Sequence, residues 1–388
     1  DENFQRLGPH RQQRKNCPMN QPVLWQFSLD AWHALAWAVV LVLMLVGCLR
    51  WPRLPTLVSL TLAATLILVM LGAYVRLSDA GLGCPDWPGC YGKISPSHAA
   101  QEIEAAQEAA PVGPVSPDKA WREMLHRYLA SLVGIMIVAI AWRTLRARQR
   151  QGRSADDPSR QSGLSLLLVG MVILQGLLGK WTVTLLLKPA IVTLHLLGGM
   201  ALIVGLTWLM ARHLGVRGGR PSSLRGLSSW TLLTWAAVAV QVALGGWVST
   251  NYAALACVDF PTCHGAWMPA MDFASGFQIV RDLGMTAEGG ALSNEALNAI
   301  HWAHRIGAVV VLLVTLVTFW QVSKVRALRD IAMAVLILLG IQIALGVTNV
   351  LASLPLASAV AHNGVAALLL VAVTMLNFAV RSPSMDSR

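Results

Sequence analysis

Long apolar stretches separated by short polar segments run through almost the whole chain. Most of these stretches are long enough to cross the hydrocarbon core of a bilayer. Lipid offers no hydrogen-bond partners to the backbone, so such stretches fold as helices. The apolar runs lie near 31–49, 57–75, 128–142, 164–187, 190–211, 230–248, 302–320, 331–351 and 359–380. The pattern predicts an all-α integral membrane protein with eight core helices and a possible extra helix near the N-terminus.

An internal repeat organises the predicted helices. Residues 71–90 and 244–263 are identical at nine of their twenty positions, and each block contains two cysteines. A His-Arg pair follows each block, and a lone histidine later opens another apolar run. The repeated residues are Cys84, Cys90, His126, Arg127 and His195 in the first copy and Cys257, Cys263, His304, Arg305 and His362 in the second. We therefore predict a pseudo-symmetric tandem of two four-helix transmembrane bundles.

Composition and charge support a membrane protein and argue against a nucleic-acid-binding one. Only 13% of the 388 residues are charged, and mean hydropathy is +0.56. The net charge of +11 comes mainly from basic loops near 143–160, 212–225 and 324–329, whereas Arg281 is the only cation in 249–300. This is the positive-inside distribution. It places 76–125 and 249–300 on the external side, where disulfides are permitted.

The repeat and the charges together define the expected segments. The N-terminal residues have no counterpart elsewhere, and their basic residues break the charge rule, so we leave them, with Cys17 and Cys48, outside the functional core. The segments are an N-terminal extension with a possible extra helix at 1–56, a four-helix unit at 57–212, a cytoplasmic linker at 213–227, a second four-helix unit at 228–381 and a cytoplasmic tail at 382–388.

The four repeated histidines are candidate haem ligands. Each stands at the outer start of an inward-running helix, so all four should lie at similar depth. Imidazole is a common axial ligand of haem iron, and a helix bundle can supply one from each side. The expected pairs are His126 with His195 and His304 with His362. A packing role is the alternative for any single histidine, but repeated polar residues at membrane depth favour function. Zinc or copper would need further ligands nearby.

The two copies differ beside these histidines. Glu123 precedes His126 by three residues, and the aligned residue in the second copy is His301, three before His304. His301 and His304 share a helix face, so either could ligate, and the repeat favours His304. Glu123 could relay protons or stabilise a cationic intermediate. The alternative is an ordinary interfacial glutamate near a helix N-terminus.

Several cations are candidate partners for haem propionates, which are anionic. These candidates are Arg76, Arg127, Lys180 and Arg305. Snorkelling to the membrane interface explains each of them equally well. With its carboxyl group and extra cations, the first half resembles a reacting site, and the second half resembles a site that holds a cofactor.

The spacing of each cysteine pair allows a disulfide-closed loop, Cys84 with Cys90 and Cys257 with Cys263. A metal site is less consistent with the sequence, because neither loop repeats a third ligand. The alternative to a structural disulfide is a redox role for the first pair, Cys84 and Cys90.

Four motifs, in order, closely resemble those of haem A synthases of Gram-negative bacteria. They are VRLSDAGLGCPDWPGCYG at 75–92, EMLHR at 123–127, WTVTLLLKPAIVTLHLLGG at 181–199 and HWAHR at 301–305. The resemblance covers roughly 57–381. It implies an oxidoreductase that converts the C8 methyl of haem O to a formyl group by successive hydroxylations and dehydration, giving haem A for cytochrome oxidase.

The resemblance also implies roles for individual residues. Glu123 would be catalytic, with Cys84 and Cys90 functionally important. His126 and His195 would hold the substrate haem, and His304 and His362 would hold a haem b cofactor. It implies a multi-pass protein of the bacterial inner membrane with periplasmic cysteine loops. Its partners would be haem O, haem O synthase, cytochrome oxidase assembly, the lipid bilayer and an unknown electron donor, with no nucleic acid.

Two other functions fit the residues without the resemblance. A di-haem electron carrier would have similar haem environments in both halves, which the Glu123/His301 difference disfavours. A haem transporter or chaperone without chemistry would make the cysteine pairs and Glu123 incidental.

Overall fold

Long apolar helices form the described part of the molecule. The computed structural model describes residues 53–151, 159–214 and 225–381, together with Gly47. The long helices are α1 (Leu54–Leu77), α2 (Pro117–Gln151), α3 (Ser159–Thr184), α4 (Pro189–His213), α5 (Arg225–Thr250), α6 (Asn294–Val322), α7 (Arg326–Leu351) and α8 (Leu356–Arg381). All eight are long and apolar enough to cross a membrane, and the described residues contain isolated β-bridges but no strand. The prediction of an all-α integral membrane protein with eight core helices is confirmed.

Some predicted segments fall wholly or mostly outside the described residues. These are the possible extra helix near 31–49, the centre of the linker at 215–224 and the tail at 382–388. Cys17 and Cys48 lie there as well.

Helix contacts follow the repeat. In each set of four, every helix packs on the next one in the chain, and the fourth packs back on the first. The two sets meet through contacts of α8 with α1 and α4, and of α4 with α5. Helix α8 is the most enclosed of the eight. In its 18-residue apolar stretch 61% of the residues are buried, compared with 17% in α7. Therefore α8 lies at the centre of the molecule, and α7 lies at its edge.

The hydrophobic core is continuous between the two sets. A single cluster of buried side chains draws on all eight helices. One member from each helix is Leu57, Ile137, Leu168, Ile203, Val238, Val311, Leu328 and Leu376. Two buried hydroxyls of α1 are satisfied within their own helix, since Thr61 and Thr65 each donate to the carbonyl four residues earlier at 2.7 Å. The two repeats thus share one apolar interior.

The segments between α1 and α2 and between α5 and α6 hold short elements. The first contains a short helix at Ala100–Ala109, and the second contains a 3₁₀ turn at Ala253–Leu255 and one helical turn at Phe273–Gly276. The second segment folds around Arg281, which is 4% exposed. Its guanidinium donates to the carbonyls of Gln278 and Met285 and to the side chain of Asn251. Both segments are fixed against the ends of the long helices.

Candidate functional site

Helices α2 and α4 bring two of the candidate ligands together. The imidazole centroids of His126 and His195 are 6.5 Å apart, and the ring planes cross at 75°. A metal held between two imidazole nitrogens by bonds of about 2 Å would place the ring centroids roughly 6 Å apart. In the other set, His304 on α6 and His362 on α8 are close enough to interact electrostatically. The structure therefore pairs the four histidines as the repeat predicts.

Every one of these imidazoles faces a glycine on the preceding helix. A Cβ built on each glycine would lie between 3.0 and 3.4 Å from the Cε1 atom of the ring. The pairs are Gly72 with His126, Gly179 with His195, Gly245 with His304 and Gly346 with His362. Contacts of 3.0–3.4 Å are tighter than most real Cβ contacts, so a larger residue would displace the imidazole. Our sequence reasoning missed these four glycines.

A sequence signal for these glycines exists. Three of them end the pattern Gln-x-x-Leu-Gly, starting at Gln175, Gln241 and Gln342, and the fourth ends Leu-Val-Met-Leu-Gly, starting at Leu68. Each pattern lies on an odd-numbered helix, and the histidine that its glycine faces lies on the next helix. The chain therefore contains four copies of one glycine–histidine helix pair, within the two copies of the larger repeat.

The polar surroundings of the rings fit haem ligation. The Nδ1 atoms of His126, His195 and His362 are buried and make no hydrogen bond of normal geometry within the described residues. The backbone carbonyls one turn before the facing glycines lie beside these three rings. A ligating histidine commonly donates its second N–H to such a carbonyl, which leaves the other nitrogen for the metal. The described residues, these histidines included, contain no group of three or more His, Cys, Asp or Glu side chains arranged to hold a metal ion.

The contacts of His301 differ from those of His304. Its Nδ1 accepts a hydrogen bond from the backbone N–H of Cys257 at 3.3 Å, and its Nε2 lies 3.3 Å from the Nε of Arg305. Both ring nitrogens therefore have partners outside the haem site. This supports His304 as the ligand, as the repeat indicates.

Glu123 makes the same contacts in the first half. Its Oε2 accepts from the backbone N–H of Cys84 at 2.9 Å, and its Oε1 pairs with Arg127. The side chain is 4% exposed. Glu123 therefore links helix α2 to the first cysteine loop. Its catalytic role stays a prediction.

The cysteine pairs are disulfides, as expected. Cys84 and Cys90 are joined with Cα atoms 4.9 Å apart, and Cys257 and Cys263 with Cα atoms 4.8 Å apart. All four cysteines are fully buried. The expectation of two disulfide-closed loops is thereby confirmed, while a redox role for the first pair stays a prediction.

An aspartate folds each disulfide loop. Asp86 accepts from two successive backbone N–H groups after Cys90, at 2.7 and 2.6 Å, and Asp259 accepts from the corresponding pair after Cys263, at 2.6 and 2.9 Å. The hydroxyl of Thr262 also donates to Asp259. These hydrogen bonds lower the pKa of Asp259 to about 2, with the Thr262 hydroxyl as the largest cause. The loops are therefore built by their own side chains.

The candidate propionate partners have different surroundings. Arg127 donates to carbonyls of the first loop, and Arg305 donates to the carbonyls of Cys257, Asp259 and Thr262 in the second. Lys180 is exposed and forms no ion pair among the described residues. Roles of these cations at propionates stay predictions.

Arg76, the fourth candidate, joins the two halves. Its Nη2 donates to the carbonyl of Ser249 at 2.7 Å, and its guanidinium lies 3.9 Å from the ring centroid of Tyr252. The Tyr252 hydroxyl donates to Asp79 at 2.9 Å. Ser249 aligns with Arg76, and Tyr252 aligns with Asp79. Aligned residues thus meet each other, as expected where two related units pack about a pseudo-two-fold axis.

Comparisons with known proteins agree with this architecture. A family model described as cytochrome oxidase assembly protein, COX15-CtaA, matches residues 55–374. The chain is 39% identical to the heme A synthase of Shewanella oneidensis over 84% of this chain and 96% of that protein. It is 29% identical to the heme A synthase of Caulobacter vibrioides, over 85% and 97% of the two chains, and 26% identical to that of Halalkalibacterium halodurans, over 78% and 89%. The chain belongs to the COX15-CtaA family of cytochrome oxidase assembly proteins.

Proposed function

We propose that this protein is a haem A synthase, an oxidoreductase that converts haem O to haem A for cytochrome oxidase. The observation that carries the proposal is the pairing of buried histidines from facing helices, seen most directly in the 6.5 Å separation of the His126 and His195 rings. The resemblance to heme A synthases over most of the chain supplies the reaction.

We assign a different haem to each of the two units. The first unit, 57–212, binds the substrate haem through His126 and His195, and the second unit, 228–381, binds haem b through His304 and His362. The placement of Glu123 in the first unit and of His301 at the aligned position in the second supports this division. The 213–227 segment links the two units along the chain.

Bound haem supplies the one-electron and oxygen chemistry that oxidation of a methyl group requires. The contribution of the chain is to hold the substrate and to place one ionisable group beside it. Glu123 lies one helical turn before His126 on α2 and therefore on the same face. Its carboxyl group is positioned by the Cys84 N–H and by Arg127. We assign it proton transfer, or stabilisation of positive charge, as the methyl group is hydroxylated twice and the resulting gem-diol loses water to give the formyl group.

The first disulfide acts through Glu123. Because the N–H of Cys84 is a hydrogen-bond partner of that carboxyl group, closing the loop fixes the direction of the side chain. Arg127 strengthens the arrangement, since it contacts both Glu123 and the loop carbonyls. We therefore interpret Cys84 and Cys90 as residues that position Glu123.

The cellular setting follows from the same function. The protein is a multi-pass membrane protein, and we place it in the bacterial inner membrane with both cysteine loops in the periplasm. The candidate partners are a haem O synthase, which supplies the substrate, and the assembly pathway of cytochrome oxidase, which takes the product.

The test is the haem content of cells that express this chain with and without a haem O synthase. Extracted haems would be separated and weighed by mass spectrometry. We expect haem A or its hydroxylated intermediate only when both proteins are present. Accumulation of unmodified haem O, in membranes that contain the folded chain and an active respiratory chain, would contradict the proposal and favour a haem carrier.

A further inference from the structure

Residues one turn before the facing glycines differ between the two halves. Gln241 precedes Gly245 by four residues, and the aligned residue before Gly72 is Leu68. These two positions matter because Gly72 and Gly245 face aligned histidines, His126 and His304.

The amide of Gln241 lies against His304. Its Nε2 is 3.0 Å from the ring Nδ1 and donates to the backbone carbonyl of the same histidine at 2.9 Å. A Cβ at Gly307 would overlap the Gln241 amide, so this glycine makes the room that the amide occupies. Gln241 thereby contacts both the ring and the main chain of His304.

His126 lacks such a contact. Leu68 has no polar side-chain atom, and the Nδ1 of His126 makes no hydrogen bond of normal geometry within the described residues. The residue that aligns with Gly307 is Leu129, three residues after His126. Gln241 and Gly307 in the second half therefore correspond to two leucines, Leu68 and Leu129, in the first half. Of the four glycine–histidine pairs, only the one containing His126 lacks the glutamine.

Groups that contact the second nitrogen of a ligating histidine orient the ring and raise its affinity for metal. A primary amide suits this position, because it offers both a donor and an acceptor to the ring. The leucine side chain offers neither, so the first ring has the Leu68 backbone carbonyl beside it but no amide.

We propose that, for the aligned ligands His304 and His126, the residue four positions before the facing glycine decides whether the histidine is a permanent or an exchangeable haem ligand. Gln241 holds His304 as a permanent ligand of the resident haem. Leu68 leaves His126 as the ligand that releases when substrate enters and product leaves. The inference rests on the proposed assignment of substrate to the first half and haem b to the second.

The experiment measures haem loss from the full-length protein in nanodiscs to excess apomyoglobin, with the released haems identified by mass. Haem O and its oxidation products report on the first site, and haem b reports on the second. The variants are Gln241→Met, which removes the amide at similar size, and Leu68→Gln, which introduces it. In each variant the unaltered site is the internal control.

We expect Gln241→Met to accelerate loss of haem b by about 10- to 100-fold, the usual effect of removing such a supporting contact, with no change at the first site. Leu68→Gln should slow release from the first site by about tenfold. The low-spin electron paramagnetic resonance signal of the haem b site should shift in Gln241→Met, which a purely structural defect would not produce. If Leu68→Gln does not accumulate, Gln241→Met decides the matter alone.

An unchanged rate of haem b loss in Gln241→Met, with an unchanged resonance signal, would overturn the proposal. A separate result would contradict the proposed assignment of the two haems to the two halves. Loss of haem b in His126→Ala but not in His304→Ala would overturn the assignment of the halves. If haem b is instead lost only in His304→Ala, but the rate of haem b loss is unchanged in Gln241→Met, the exchange proposal alone would be overturned.

Discussion

The two external disulfide loops are built alike but anchored by different side chains. In both, a disulfide closes a short loop, an aspartate accepts from two backbone N–H groups, and an arginine of the following helix donates to loop carbonyls. The residue that accepts from the first cysteine's N–H is Glu123 in one loop and His301 in the other. An imidazole therefore suffices for anchoring. The anchoring contact alone therefore does not require the carboxyl group of Glu123, which agrees with the proposed proton-transfer role.

Exchanging the two anchor residues, Glu123 and His301, separates anchoring from catalysis most directly. Glu123→His should keep the contacts to Cys84 and Arg127, because His301 makes the same contacts in the second loop. It removes the carboxyl group, so haem A formation should fall by about 10²- to 10⁴-fold, the range for loss of a general acid or base. Haem extraction measures this effect, and thiol labelling checks that the disulfide is intact.

The reverse exchange is the matched control for that variant. His301→Glu should still bind haem b and still form haem A, because the second loop then has the anchor of the first. Near-normal haem A in Glu123→His would restrict Glu123 to anchoring. Loss of haem A in Glu123→Ala would not separate the two roles, since that change removes the anchor as well.

Adding a methyl group at the facing glycines tests whether the two haem sites are independent. Gly245→Ala should crowd the His304 ring and lower haem b content, and Gly72→Ala should do the same for substrate haem at His126. Overpacking costs about 1–3 kcal/mol, which would lower affinity by about 5- to 150-fold. Bound haem per folded protein is the measurement.

Gly340→Ala is the control, because a Cβ there meets no atom within 4 Å. It should leave haem content unchanged. Equal losses in Gly72→Ala, Gly245→Ala and Gly340→Ala would show that these glycines matter for folding in general and have no specific role at the imidazoles.

Removing Arg76 tests the contact between the halves. Arg76→Ala loses the hydrogen bond to Ser249 and the stacking on Tyr252, and a hydrogen bond from a charged group contributes about 1.5–3 kcal/mol. The unfolding midpoint in detergent should therefore fall while haem content stays the same. A specific loss of substrate haem at unchanged stability would instead make Arg76 a propionate partner.

The smallest effect is expected from pH at the second loop. The pKa of Asp259 is lowered to about 2 in the folded loop. Its stabilising contribution is present above its ordinary pKa of 3.8 and is lost as pH falls through about 2. Hydrogen exchange of the His264 and Gly265 amides should hence be protected down to pH 4 and lose that part of the protection below it. In Asp259→Asn this loss with pH should be absent.

Apolar patterning predicts the helices well and their ends less well. The run at 128–142 indicates the centre of α2, but the helix extends from Pro117 to Gln151. Its polar first turns carry Glu123 and His126, which a hydropathy pattern assigns to the loop side of the boundary. A helix continues past the membrane when its backbone hydrogen bonds and side chains have partners there, and hydropathy does not report such partners.

The candidate site was predictable where the larger repeat marks it. The repeat identifies the histidines and the cysteines, because both copies keep them. It does not indicate what each imidazole touches, since that depends on how neighbouring helices rotate against each other. The Gln-x-x-Leu-Gly pattern carries that information, but Leu68 interrupts it in the first copy. The difference between Glu123 and His301 is visible in the sequence, whereas their common anchoring contact is visible only in the structure.

The central position of α8 has a consequence for how the protein is made. Helices α1 to α4 contact one another in a closed ring, so they can associate while the rest of the chain is still on the ribosome. Helix α8 emerges last, yet it packs against α1, α4, α5 and α7. The second ring and the junction with the first are therefore completed in a single late insertion step. A chain that stops before Leu356 would reach the membrane with His126 and His195 assembled, but His304 would lack its partner His362.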